Sequence, residues 1–191
     1  MGYLGFYFDM TACIGCRTCQ IACKDKNDLK VGTIFRQART YEVGVYPAPG
    51  AYHYSGSCNH CAQPKCVEGC PTGAMHVAED GTVQHDRAKC IGCRYCTWAC
   101  PYGVPQFIKD LGKVGKCDGC KDLRDEGKNP VCVDACPMRA LEWGDTDELK
   151  AKHGDTTSEL AILPEASRTK PSLVIKAKRI AAQKDFRYKE V

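Results

Sequence analysis

The chain is short of the residues that build a large apolar interior. Its 191 residues include only five Phe and two Trp. A large aromatic core is not expected on that count, so something besides hydrophobic burial is expected to stabilise the fold. No run of about 18 apolar residues occurs, so the chain is not expected to span a membrane. The start, Met1-Gly2-Tyr3-Leu4-Gly5-Phe6, has no charged leader, long apolar stretch or twin arginine, and no signal peptide is expected there. No acid–base pair, nucleophile or open metal site is evident either. The chain is therefore not expected to carry out bond chemistry of its own.

What it has in abundance is cysteine. Sixteen of them, roughly 8% of the chain, approach the level at which cysteine itself becomes the scaffold. Bound metal is a known substitute for a core in small domains. Three chemistries compete: a disulfide framework, structural zinc and iron–sulfur. Disulfides suit short secreted chains, and zinc favours two Cys-x-x-Cys pairs separated by a longer stretch.

Spacing discriminates among them. Group one is Cys13, Cys16, Cys19 and Cys23; group three is Cys90, Cys93, Cys96 and Cys100, followed by Pro101. Both read C-x2-C-x2-C-x3-C, the bacterial ferredoxin run. Three thiolates spaced by three can wrap one face of a cube, and zinc sites rarely need such a run. The fourth cysteine is expected at the start of a short helical stretch, pointing to a second cluster. Group two is Cys58, Cys61, Cys66 and Cys70, with four residues in its middle gap. Group four is Cys117, Cys120, Cys132 and Cys136, with eleven residues there. Alone, group four could be a zinc site; beside the others it reads as a stretched ferredoxin group. All sixteen cysteines are then used, four per group.

Gly15, Gly92 and Gly119 each precede a second cysteine. They are expected to take positive φ, letting amides approach cluster sulfur and tune its potential. Pro71, Pro101 and Pro137 follow the last cysteine of their groups; group one has Lys24 there instead. That lysine is either a charge beside a cluster, raising its potential, or a solvated side chain.

In a two-cluster ferredoxin, three cysteines of one group combine with the fourth of its partner. Groups two and three are separated by nineteen residues that contain Asp80-Gly81 between short alternating runs, a hairpin signal. They are expected to form an inner unit, with groups one and four as an outer one. Cluster A then takes Cys13, Cys16, Cys19 and Cys136; cluster B takes Cys117, Cys120, Cys132 and Cys23. Cluster C takes Cys58, Cys61, Cys66 and Cys100; cluster D takes Cys90, Cys93, Cys96 and Cys70. Sequential pairing, one with two and three with four, stays open as the alternative.

The formal net charge is +4 with neutral cysteines. Four oxidised cubanes with their thiolates, at about −2 each, bring the total to about −4. The basic balance is therefore no signal for nucleic acid. Arg17, Lys24, Lys65, Lys89, Arg94, Lys116 and Lys121 lie near ligands, either offsetting cluster charge or forming ordinary surface.

Particular strings carry a family resemblance: Cys58-Asn59-His60-Cys61, Cys70-Pro71-Thr72-Gly73-Ala74-Met75-His76, Cys90-Ile91-Gly92-Cys93-Arg94-Tyr95-Cys96, Cys100-Pro101-Tyr102-Gly103 and Lys116-Cys117-Asp118-Gly119-Cys120. From about Gly5 to about Gly154 the chain resembles the iron–sulfur subunits of dimethyl sulfoxide reductase-type molybdoenzymes. The resemblance implies four 4Fe-4S clusters on the sixteen cysteines, with the crossed ligand pattern. In nitrate reductase, tryptophan replaces the second cysteine of group three and gives a three-iron cluster; Cys93 here implies four irons.

The resemblance also implies partners. One is a large catalytic subunit with a molybdenum (or tungsten) bis-pterin; another is a quinone-facing membrane subunit. The expected place is the extracytoplasmic face, by co-export with a catalytic subunit bearing a twin-arginine signal, with the cytoplasm as alternative. A free polyferredoxin and a zinc-stabilised interaction module are the competing functions.

The expected fold is α+β: two pseudo-symmetric bacterial-ferredoxin-like units of short helices and β-hairpins, with a long loop insertion and an extended C-terminal arm. The outer unit takes residues 1–50 and 105–145, the inner unit 51–104, and the arm 146–191. Thr33–Val43 reads as strand and Tyr46–Gly50 as loop. Tyr52, His53 and Tyr54 read as packing. His60 invites a Rieske-type reading, but its group already has four cysteines. Asp145 is a plausible N-cap and Gly154 a stop for a short helix. The basic end beyond it is expected to lie along a partner subunit, with binding to a membrane surface as the weaker reading.

Overall fold

The computed structural model describes residues 3–189. Residues 1–2 and 190–191, the extremities of the expected outer unit and arm, lie outside the described residues. The chain opens with β1 (Leu4–Asp9), then α1 (Thr18–Lys26), β2 (Gln37–Val43) and β3 (Gly50–Gly56). The middle holds α2 (Lys65–Glu68), β4 (Met75–Val77), β5 (Val83–His85) and α3 (Tyr95–Ala99). Next come β6 (Gln106–Ile108), β7 (Lys113–Gly115), α4 (Lys121–Asp125), α5 (Val131–Asp134) and β8 (Leu141–Asp145). The chain closes with α6 (Thr146–His153), β9 (Leu173–Lys176) and β10 (Arg187–Lys189). This is the expected mixture of small sheets and short helices.

The apolar centre forms around β1, whose Phe6, Tyr7 and Phe8 are all buried. Strand β1 pairs antiparallel with β8 and parallel with β9, so neither of its edges is free. Three consecutive large aromatic residues suit a strand covered on both faces. A Cβ at Gly5 would run into the Ser172 carbonyl, so only glycine permits β9 to enter at that distance.

Strands β4 and β5 form the expected hairpin. Its turn is braced by Asp80 Oδ1, which accepts from the Thr82 amide at 3.0 Å and from Thr82 Oγ1 at 2.6 Å. The strand expected from Thr33 begins later, at Gln37. Ile34 is held by a side chain instead of a strand: its amide donates to Gln106 Oε1 at 2.9 Å and its carbonyl accepts from Gln106 Nε2 at 2.6 Å. The helix after Asp145 forms as read, with the Asp145 carboxylate accepting from the Asp147 and Glu148 amides.

The C-terminal segment is extended, but it binds this chain's own body. Leu173, Val174 and Ile175 are buried in β9, and β10 adds to the edge of β2. Just before β9 the segment clamps group two. The Ala62 and Gln63 amides donate to the Lys170 and Thr169 carbonyls, and the Ser172 amide donates to the Asn59 carbonyl. A basic composition outside the strand conceals this short apolar run.

Candidate metal centres

Each Cys-x-x-Cys turn needs one residue in the left-handed region. Gly15, Gly92 and Gly119 supply it at φ 71°, 71° and 70°. Group two has His60 in that place, at φ 42°. Its side chain explains the exception: His60 is fully buried, its Nδ1 accepts from the Val83 amide at 3.1 Å, and its carbonyl accepts from Ser172 Oγ at 3.0 Å. Nδ1 as acceptor leaves the proton on Nε2, which has no partner among the described residues.

Arg17 and Arg94 follow the second cysteine in groups one and three, also left-handed at φ 63° and 65°. They reverse the chain, and α1 and α3 begin at once. The third cysteine therefore sits in the first turn of each helix. This corrects the expectation for the fourth: Cys23 lies well inside α1, and Cys100 directly follows α3.

All sixteen cysteines are free. Cys13, Cys16, Cys19 and Cys136 line one cavity. Cys70, Cys90, Cys93 and Cys96 line another. In the remaining two sets, electrostatics place the thiols near one another. The Cys23 thiol is raised by burial and then by Cys117, Cys132 and Cys120. Burial pushes Cys61 up to about 12, and Cys58 and Cys100 add to it. Cys66 also rises to about 12, from burial and then Cys58, Cys100 and Cys61. The structure thus brings each fourth cysteine to the three of the crossed partner group. Among the described residues, no group of three or more His, Cys, Asp or Glu side chains is placed to hold a single metal ion.

Donors surround the sulfurs. The Met75 amide lies 3.3 Å from Cys70 Sγ, the Ala140 amide 3.3 Å from Cys136 Sγ, and the Gly119 amide 3.4 Å from Cys117 Sγ. Ser55 Oγ is 3.3 Å from Cys19 Sγ. All-cysteine sets ringed by N–H and O–H groups fit iron–sulfur cubanes.

Burial grades the four sets. Cys117, Cys120, Cys132 and Cys23 are all buried. The set of Cys58, Cys61, Cys66 and Cys100 has two buried members and none exposed. The two remaining sets each expose one ligand, Cys16 and Cys93. Exposed apolar side chains flank both: Ile14, Ile21 and Met138 accompany group one's set, and Ile91, Tyr95 and Trp98 accompany group three's.

The charged residues expected near the ligands differ in their surroundings. The Lys24 ammonium donates to the Lys30 and Thr33 carbonyls and braces the loop that follows α1. Lys116 is buried. Among the described residues the deepest cation is Arg36, 1% exposed, which the cysteine spacing does not single out. Its signal in the sequence is weak, because one arginine inside an imperfectly alternating stretch reads as a solvent-facing residue.

Two family models match this chain: a 4Fe-4S dicluster domain over residues 50–146 and a 4Fe-4S binding domain over residues 10–31. Among curated proteins, it is 49% identical over 180 residues to the B subunit of anaerobic dimethyl sulfoxide reductase from Escherichia coli (strain K12), covering 90% of this chain and 87% of that protein. The corresponding B subunit from Haemophilus influenzae is 47% identical over 190 residues, covering 95% and 92%. The thiosulfate reductase electron transfer subunit of Salmonella typhi is 41% identical over 143 residues, covering 73% and 74%.

Proposed function

The chain belongs to the family of iron–sulfur subunits of dimethyl sulfoxide reductase-type molybdoenzymes, and from that premise we propose that it holds four 4Fe-4S clusters and relays single electrons between a catalytic subunit and a second redox partner. It is an electron-transfer subunit and not catalytic by itself. Cys13, Cys16, Cys19 and Cys136 would hold cluster A; Cys117, Cys120, Cys132 and Cys23 cluster B. Cys58, Cys61, Cys66 and Cys100 would hold cluster C; Cys90, Cys93, Cys96 and Cys70 cluster D. When bound, each cubane supplies a one-electron store.

The observation that supports a relay is the gradient of burial along the sets. Set B is fully buried, while sets A and D each expose one ligand. Neighbouring sets lie within electrostatic reach: Cys19 of set A acts on Cys132 of set B, and Cys117 of set B acts on Cys58 of set C. Cys66 of set C and Cys96 of set D share one apolar cluster with Met75 and Val83. The protein's part is to hold the ligands in the order A–B–C–D, exclude water from the middle, and leave an opening at each end.

The partners are, on this reading, a molybdenum (or tungsten) bis-pterin subunit and a quinone-linked membrane subunit. Among the described residues no helix is long and apolar enough to cross a membrane; attachment through the partner is part of this reading. The complex would lie at the extracytoplasmic face, reached by co-export. Anaerobic purification with iron and acid-labile sulfide analysis tests the central point. About sixteen of each per chain are expected. A colourless protein carrying zinc would overturn the reading.

A further inference from the structure

Two cations lie deep in the protein without a counter-charge. Arg36 is 1% exposed and Lys116 is 6% exposed. Arg36 donates to the Ser55 carbonyl at 3.1 Å, to Ser55 Oγ at 3.2 Å and to Ser57 Oγ at 2.8 Å. Its guanidinium carbon lies 4.2 Å from the centre of the Phe6 ring, and its Nε has no partner among the described residues. Lys116 donates to the Val83 carbonyl and, at 2.8 Å, to the Cys117 carbonyl. All of these acceptors are neutral. Among the described residues neither cation has a carboxylate within ion-pair distance.

A buried charge without a partner is expensive, by several kcal/mol after relaxation. Such a charge persists where something of opposite sign faces it. Arg36 reaches set A through Ser55, whose Oγ lies 3.3 Å from Cys19 Sγ. Burial pulls its protonated form down, and the sulfurs of Cys132, Cys117, Cys19 and Cys23 more than reverse that. These belong to sets A and B. Lys116 adjoins Cys117 of set B in the chain, and acts on Cys58 and Cys66 of set C.

We propose that Arg36 and Lys116 are fixed positive charges at the A–B and B–C junctions that raise the midpoint potentials of the clusters on either side. The inference rests on the four-cluster reading above. A positive charge in a low-dielectric interior favours whichever redox form carries the more negative charge, here the reduced one. Set B stands between both cations and is most affected. Among the described residues neither cation hydrogen-bonds to a residue of set D. The buried interior clusters would otherwise be the hardest to reduce, because burial opposes added charge. The two cations offset that penalty and keep the middle of the path within reach of its ends.

The test is a redox titration of the anaerobically purified, cluster-loaded chain, followed by low-temperature EPR. Arg36→Met is expected to move the transitions of A and B to lower potential; Lys116→Met is expected to move B and C. Each shift should reach at least a tenfold change in the reduced-to-oxidised ratio at fixed potential, about 59 mV for a one-electron couple. D should stay in place in both variants. Arg36→Lys and Lys116→Arg should keep transitions close to native. Unmoved midpoints with full iron, or an equal shift of all four, would overturn the proposal.

Loss of iron from both Met variants, but not from the charge-retaining ones, would still mark a charge role. Loss from all of them would reduce both residues to packing. The unaltered chain separates the two levels: iron well below about sixteen there faults the four-cluster reading, not the cations.

Discussion

Arg124 donates to Asp80 Oδ2 at 2.9 Å, joining the turn of the β4–β5 hairpin to the helix that follows Cys120. The same guanidinium donates through Nε to the Gly119 carbonyl at 2.9 Å and lies over the Trp143 ring. One ion pair thus fixes the inner hairpin against the turn that carries two ligands of set B. Burial alone would raise the Asp80 carboxyl; its bonds to Thr82 and Arg124 outweigh that and hold it at about 2. A depressed carboxyl contributes stability above its unfolded value, lost as pH falls through the folded one. Asp80→Asn is expected to cost about 1 kcal/mol at pH 7, solvent screening having taken part of the pair's worth. The gap to the native chain, read by anaerobic thermal unfolding, should be constant from about pH 8 to 5 and close only between about 4 and 2. A gap that closed near neutrality would point to a histidine instead.

The ligand sets can be separated by counting iron in a double variant. Cys13→Ala and Cys136→Ala fall in the same proposed set. Each is expected to remove about four irons, and the pair together no more than about four. Sequential pairing predicts about eight for the pair.

Gly92 and Gly73 both have positive φ, 71° and 66°, but different surroundings. A Cβ at Gly73 meets nothing within 4 Å, whereas one at Gly92 runs into the Gly112 carbonyl. Gly73→Ala is expected to cost about 1 kcal/mol from conformation alone. Gly92→Ala should cost clearly more and lower the iron held at set D. Thermal midpoints and iron content of the two variants provide the check; equal losses would refute the steric account.

Trp98 is 81% exposed beside the ligands of set D. Large exposed aromatics of this kind commonly carry interface energy. Trp98→Ala is expected to leave the iron content intact and to weaken binding to the subunit docked at that end by at least about tenfold. Calorimetry with each subunit of the purified complex would show it. Unchanged affinity for every subunit would mean that this end faces no protein.

Much of this was readable from spacing. A Cys-x-x-Cys turn needs a left-handed residue, and the glycines at 15, 92 and 119 announced it; the hairpin at Asp80-Gly81 and the cap at Asp145 were equally local. What escaped depended on contacts distant in sequence. His60 could take a glycine's place only because Val83 and Ser172 bond to it. Arg36 could be buried only because two cysteine groups converge near it. Leu173-Val174-Ile175 was masked by the basic residues around it, and its partner strand lies at the other end of the chain.

That last pairing bears on how the protein is made. Every proposed ligand of sets C and D has been synthesised once the ribosome passes Cys100, while A and B wait for Cys132 and Cys136. The inner pair can therefore be loaded on a half-finished chain. The outer pair closes around it later, and β9, which covers the open edge of β1, is among the last segments to emerge. On the proposed ligand sets, chain connectivity alone permits insertion from the inside outward.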